Sequence, residues 1–214
     1  MVKMVTTLNP LKVTCREVSR CLALLANEPK SHSWLLHESV LQCIFVLIQQ
    51  QDNHDCNKLA VLALANLALE STNHAQLAKV DILQKFQPLL LLKKKEINQC
   101  IAFALHNICK NSSTHDTCIK GKVPAILCRL LQFDDTFVQV HGCLALRYLS
   151  VSQEASAKFV ENKGLSILFS ISPRSEMELK LEVAACLKDI SLSVQVPIVT
   201  DLIRSETTLL LIMP

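Results

Sequence analysis

The sequence predicts an all-α solenoid, and three observations carry that prediction. A six-residue pattern, Ala-Leu-x-Asn-aliphatic-small at its fullest, recurs five times at a step of forty-one or forty-two residues. A second, strongly apolar stretch keeps the same step. Half of the 214 residues are hydrophobic and only three are Gly, so the chain can bury a large core in regular structure.

The copies of the first pattern begin at Cys21 (CLALLA), Ala63 (ALANLA), Ala104 (ALHNIC), Ala145 (ALRYLS) and Cys186 (CLKDIS). The second position is Leu in each: Leu22, Leu64, Leu105, Leu146 and Leu187. The fifth is always aliphatic, and the first and sixth are small. Leu at i and an aliphatic residue at i+3 share one helix face, and small flanking residues let neighbouring helices approach closely. This is the signature of a unit that buries itself against its neighbours. The second motif runs VLQCIFVLI from Val40, ILQKFQPLL from Ile82, VPAILCRLL from Val123 and LSILFSI from Leu165, and reads as a buried helix. Before it lies a short amphipathic stretch: HSWLLHE, HAQLAKV, HDTCIKG and SAKFVEN. Each unit therefore holds three helices: a short one, a buried one, and a longer third one carrying the Ala-Leu pattern.

Boundary residues fit this reading. Ser71-Thr72-Asn73 and Ser112-Ser113-Thr114 offer caps just before the short helix. Gly121 and Gly164 sit where the chain turns into the buried helix, and Pro124 falls in that helix's first turn. Pro88 lies mid-helix and predicts a kink.

Period, three-helix unit, the Gly before VPAILCRLL and the Ala-Leu-x-Asn ending together resemble the armadillo repeat, from about Val13 to Ile203. The resemblance implies a right-handed superhelical solenoid (an α-α superhelix) of about four full repeats plus partial terminal ones. The chain is then one domain over 1–214, in units 1–29 (partial), 30–71, 72–111, 112–152, 153–193 and 194–214 (partial). It also implies that the third helices line a concave groove that binds an extended segment of a protein partner. In the family the Asn of the pattern hydrogen-bonds the ligand backbone. Here only Asn66 and Asn107 match; Leu24, Tyr148 and Asp189 hold the other positions. Four residues before the Asn, import receptors of the family carry Trp; here stand Arg20, Leu62, Phe103, Leu144 and Ala185, which disfavours that reading. Phe103, Asn107 and Tyr148 make a candidate hot spot, although Phe103 suits a core position equally. His106, Arg147 and Lys188 repeat at forty-one residues as a row that is either a basic strip or simply a solvated face.

Lys plus Arg number 22 against 19 Asp plus Glu, which leaves no electrostatic footprint for nucleic acid. No apolar run is long enough to span a membrane. Ten Cys without a CxxC pair read as free thiols in a reducing compartment, so a cytoplasmic protein is expected, with nuclear or ciliary placement left open. His141 and Cys143, two apart on a helix, diverge and cannot share a metal. No cofactor and no enzyme activity are expected, since no phosphate loop, nucleophile elbow or HExxH occurs. The chain opens inside a third helix, roughly Asn9–Ala26, and closes on TTLLLIMP where a buried helix should start. A piece or short isoform of a longer armadillo protein is the expectation, or else open ends that self-associate or make the lasting contacts of an assembly subunit.

Overall fold

The computed structural model describes residues 12–50, 52–79, 82–171 and 176–194. These residues form thirteen α-helices and two short 3₁₀ turns, with no strand among them. After α1 (Lys12–Leu25) come three complete triplets and then a last one. The triplets are α2 (His32–Leu35), α3 (Glu38–Ile48) and α4 (His54–Leu67); α5 (Ser71–Lys79), α6 (Ile82–Leu90) and α7 (Lys95–Cys109); and α8 (His115–Lys120), α9 (Val123–Leu131) and α10 (Thr136–Leu149). The last comprises α11 (Gln153–Glu161), α12 (Gly164–Ile171) and α13 (Met177–Ser193). The expected first helix is described from Lys12 to Leu25, and Asn9 to Leu11 lie outside the described residues.

The long helices α1, α4, α7, α10 and α13 pack side by side in chain order and make one layer. Behind them α3, α6, α9 and α12 make a second layer, closed by the short helices. The repeated Leu residues lie between the layers, none more than 1% exposed. Ala63, Ala104, Ala145 and Cys186 are fully buried where adjacent third helices meet, which is why only small residues stand there. Cys21, the same position on α1, is exposed, and among the described residues no third helix packs against that side.

Two local expectations need correcting. Gly121 and Gly164 are not needed for backbone freedom, since no glycine has positive φ; the left-handed residues are their neighbours Lys122 (φ 61°) and Lys163 (φ 62°). The glycines serve close approach. A Cβ on Gly121 would meet Leu83 Cδ1 at 2.7 Å, and one on Gly164 would strike the Phe159 ring at 2.2 Å. Nor do Asn73 and Thr114 serve the helix that follows; Asn111 Oδ1 opens the 3₁₀ turn Ser112–Thr114 by accepting from Ser113 N–H. Asn73 Nδ2 donates back to Leu67 O (2.9 Å), and Thr114 Oγ1 to Ile108 O (2.7 Å). They satisfy the carbonyls that the preceding third helix leaves open at its C-terminus.

The residue that follows does the same. His32, His74 and His115 each hold a ring Nε2 on the carbonyl six residues back: Ala26 (3.0 Å), Ala68 (2.7 Å) and Cys109 (2.7 Å). A carbonyl only accepts, so Nε2 carries the proton and Nδ1 is an acceptor. In the next unit Ser156 Oγ takes the role, on Ser150 O. Asn73 also donates to His32 Nδ1 (2.9 Å), which ties one repeat to the next. Its counterpart Thr114 spends its hydroxyl proton on its own repeat, and buried His74 Nδ1 is left without a partner.

Candidate protein-binding groove

The side chains facing out from the layer of third helices are dictated by the same period that fixes the core. On α10, Phe137, His141 and Tyr148 are four and seven residues apart and therefore share a face. On α7, Phe103 and His106 are three apart and face α10. Packing the two helices brings these five rings into one row. His106 stacks on Tyr148 with centroids 5.8 Å apart, and His141 meets Phe103 edge-on at 5.2 Å. Phe137 lies 4.2 Å from His141 and 6.4 Å from Phe103. The rings are half-buried or exposed, Phe137 44% so. Phe103 is half-buried and packs against the core with part of its ring left exposed.

Within the row, His106 Nδ1 and His141 Nδ1 are 2.7 Å apart. One must donate and the other accept, so the two Nδ1 atoms differ in protonation and the accepting ring is neutral. Burial, then the charge of His141 and of Lys110, lowers the pKa of His106 to about 4. Burial also lowers that of His141, against the pull of Glu178. The row is therefore an aromatic platform without charge at neutral pH.

One repeat further the same positions hold ions. Arg147 of α10 stands where His106 stands on α7, and Glu182 and Asp189 of α13 stand where His141 and Tyr148 stand on α10. Arg147 Nη1 reaches Glu182 Oε2 at 3.0 Å and Nε reaches Asp189 Oδ2 at 3.2 Å. Hydrogen bonding and the charge of both carboxylates outweigh partial burial and raise the guanidinium's pKa. Of the row His106, Arg147 and Lys188, the first is thus neutral, the second is clamped by two acids, and only Lys188 stands exposed without an ion pair among the described residues. Arg147 and Asp189 also line a cleft of about 340 Å³ with Ser150, Val151, Leu192 and Ser193.

Toward the other end the Asn positions are half-buried. Asn66 Nδ2 donates to Asn27 Oδ1 (2.8 Å) and Ala23 O (3.3 Å), and Asn107 Nδ2 donates to Phe103 O (3.0 Å). Both amides are turned onto their own chain, with their carbonyl oxygens left as acceptors. Leu24, at the same position on α1, is 62% exposed.

Phe137 and His141 belong to the ring row and are missed by the Ala-Leu alignment, because they lie a turn and more before it. Their spacing to Tyr148 was the available signal. His115 caps α7, and Cys56, Cys118 and Cys143 are buried. All ten cysteines are free, and burial pushes Cys56 and Cys100 up to about 11 and Cys128 to about 12, far from the thiolate that nucleophiles need. Among the described residues no three His, Cys, Asp or Glu converge as a metal site, and no helix is long and apolar enough to cross a membrane.

No protein-family model matches the chain, and no curated protein matches it. Solved structures do. The chain is similar to a designed armadillo repeat protein at TM-score 0.77 and 18% identity, over 95% of this chain and 85% of that one. It is similar to a computationally designed armadillo repeat protein for modular peptide recognition at 0.76 and 22%, over 89% and 82%. A third, a designed armadillo repeat protein in complex with the peptide (KR)4, matches at 0.75 and 18%, over 91% and 84%. The fold is that of an armadillo repeat solenoid.

Proposed function

We propose that the chain is a non-catalytic scaffold that binds an extended segment of a protein partner along the third-helix layer, with its strongest contacts at the junction of α7 and α10. The observation that carries this is the row of five rings, Phe103, His106, Phe137, His141 and Tyr148, held half-exposed by two helices. Aromatic side chains supply large contact area at small entropic cost and are enriched among interface anchors. The carbonyl oxygens of Asn66 and Asn107 add acceptors for backbone N–H groups of a ligand, and Asp189 with Arg147 adds a polar end at α13. The likeness to a designed solenoid solved with a bound peptide supports a peptide-binding scaffold. An uncharged platform beside a net acidic clamp favours a segment that is apolar or aromatic in its middle. Cytoplasmic placement accords with the free thiols.

The test is affinity capture from cell extract with the native chain and with the triple variant Asn66→Ala, Asn107→Ala and Tyr148→Ala. Partners lost only from the variant support the reading. Partners retained equally by both would move the function off this face.

A further inference from the structure

We infer that the cleft where α6 and α9 end and α7 begins binds the C-terminal residue of a protein segment, an apolar residue with a free α-carboxylate. The cleft shares no residue with the ring row, so this site goes beyond the groove. The fourth residue of three third helices is a carboxamide: Asn57 on α4, Asn98 on α7 and Gln139 on α10, forty-one apart. Each lines a cleft beside the end of the buried helix before it, of about 450, 370 and 470 Å³ in chain order. In the first and third the amide is engaged. Asn57 Nδ2 donates to Leu47 O (3.1 Å), Ile48 O (2.7 Å) and Gln50 O (3.1 Å), carbonyls that α3 leaves open at its C-terminus. Gln139 Nε2 donates to Leu131 O at 3.3 Å. In the middle cleft Asn98 is only 2% exposed, yet its Oδ1 has no partner among the described residues. A buried amide left open in this way costs stability and marks a place where a ligand group is missing.

The middle cleft is also the one of these three that Lys or Arg lines. Lys93 and Arg129 are exposed, and neither makes an ion pair among the described residues. Asp134, which also lines the third cleft, offsets one of them and leaves a net positive charge. Leu90, Leu91 and Phe133 supply the apolar wall. A fitting ligand therefore carries an anion, a partner for a carboxamide and an apolar body. The last residue of a peptide carries all three. Its carboxylate meets Lys93 and Arg129, its amide N–H one carbon away meets Asn98, and its side chain covers Leu91 and Phe133. The terminal torsion of Asn is broad and two-fold, so the Asn98 amide turns whichever end the ligand needs. An internal peptide segment lacks the charge, and an inorganic anion lacks the apolar body.

The test is calorimetric titration of the full chain with acetyl-Ala-Ala-Leu, as the free acid and as the C-terminal amide. The acid should bind, and the amide should bind about tenfold more weakly. Arg129→Gln and Asn98→Leu should each weaken the acid by about threefold to tenfold. Thermal unfolding separates this role from a structural one. Asn98→Leu removes a side chain with an open Oδ1 and should leave the midpoint unchanged or raised, whereas Asn57→Leu strips three carbonyls and should lower it. A native chain that binds neither peptide at about 1 mM would overturn the inference. So would equal binding of acid and amide, binding that both variants leave unchanged, or an Asn98→Leu midpoint lowered as far as that of Asn57→Leu.

Discussion

The junctions α7–α10 and α10–α13 use the same three positions for opposite chemistry. At the first, His106 meets His141 and Tyr148, neutral rings in a stack. At the second, Arg147 meets Glu182 and Asp189, a cation between two carboxylates. The underlying packing is the same: Leu105 and Leu146 are both buried beneath, and Ala104 and Ala145 both allow close approach. The difference teaches that the repeat fixes which positions meet, while what stands there is free to vary. A groove can therefore change character from one repeat to the next without disturbing the solenoid.

The largest effect should be identical at the two junctions. Leu105→Ala and Leu146→Ala each remove a fully buried side chain, and each should cost about 2–5 kcal/mol in denaturant unfolding. A large inequality would mean that the two junctions do not share one packing scheme. Next in size is the clamp. Arg147→Met leaves Glu182 and Asp189 facing each other without their cation, at a site roughly one-third exposed. The expected loss is about 1 kcal/mol at low ionic strength, shrinking as salt screens the charges. The aromatic junction should show no such salt dependence.

Much of this was legible in the sequence, for a physical reason. A solenoid core is a one-dimensional repetition, so each buried column samples the same environment several times, and Leu22 through Leu187 announce it five times over. The site was less legible. Tyr148, Phe103 and His106 could be placed because they sit in or beside the repeated pattern. His141 and Phe137 could not be weighed, since a residue outside the pattern shows its importance only when two helices are set side by side. The row His106, Arg147 and Lys188 looked basic by letter. Its charges depend on partners thirty-five to forty-two residues away, and those partners cancel one and suppress another. The histidines that follow α1, α4 and α7 are caps, held on the carbonyls six residues back.

Acid should separate the junctions again. His106 is held near a pKa of about 4 against an ordinary 6.5, so between these values the unfolded chain binds more protons than the folded one. Stability contributed by the neutral pair is therefore present above pH 6.5 and is lost as pH falls toward 4. His141, also lowered, acts in the same direction. Urea midpoints measured from pH 7 to pH 4 should fall for the native chain and fall less for His106→Phe. An unchanged slope in the variant would show that the loss arises elsewhere.

The smallest effect tests the comparison most directly. If the positions are equivalent, the chemistry of one junction can be moved to the other. His106→Arg with His141→Glu would place at α7–α10 the ion pair that α10–α13 already makes between Arg147 and Glu182. Each single change leaves one charge facing a ring without its partner and should destabilise the fold. The double variant should recover part of that loss, with a coupling of about 0.5–1 kcal/mol, the range expected for neighbouring, partly exposed ions. Recovery would show that register alone brings the two side chains together, whatever their chemistry. Strict additivity would mean that the clamp at Arg147 depends on its third member, Asp189, and that Tyr148 cannot stand in for it.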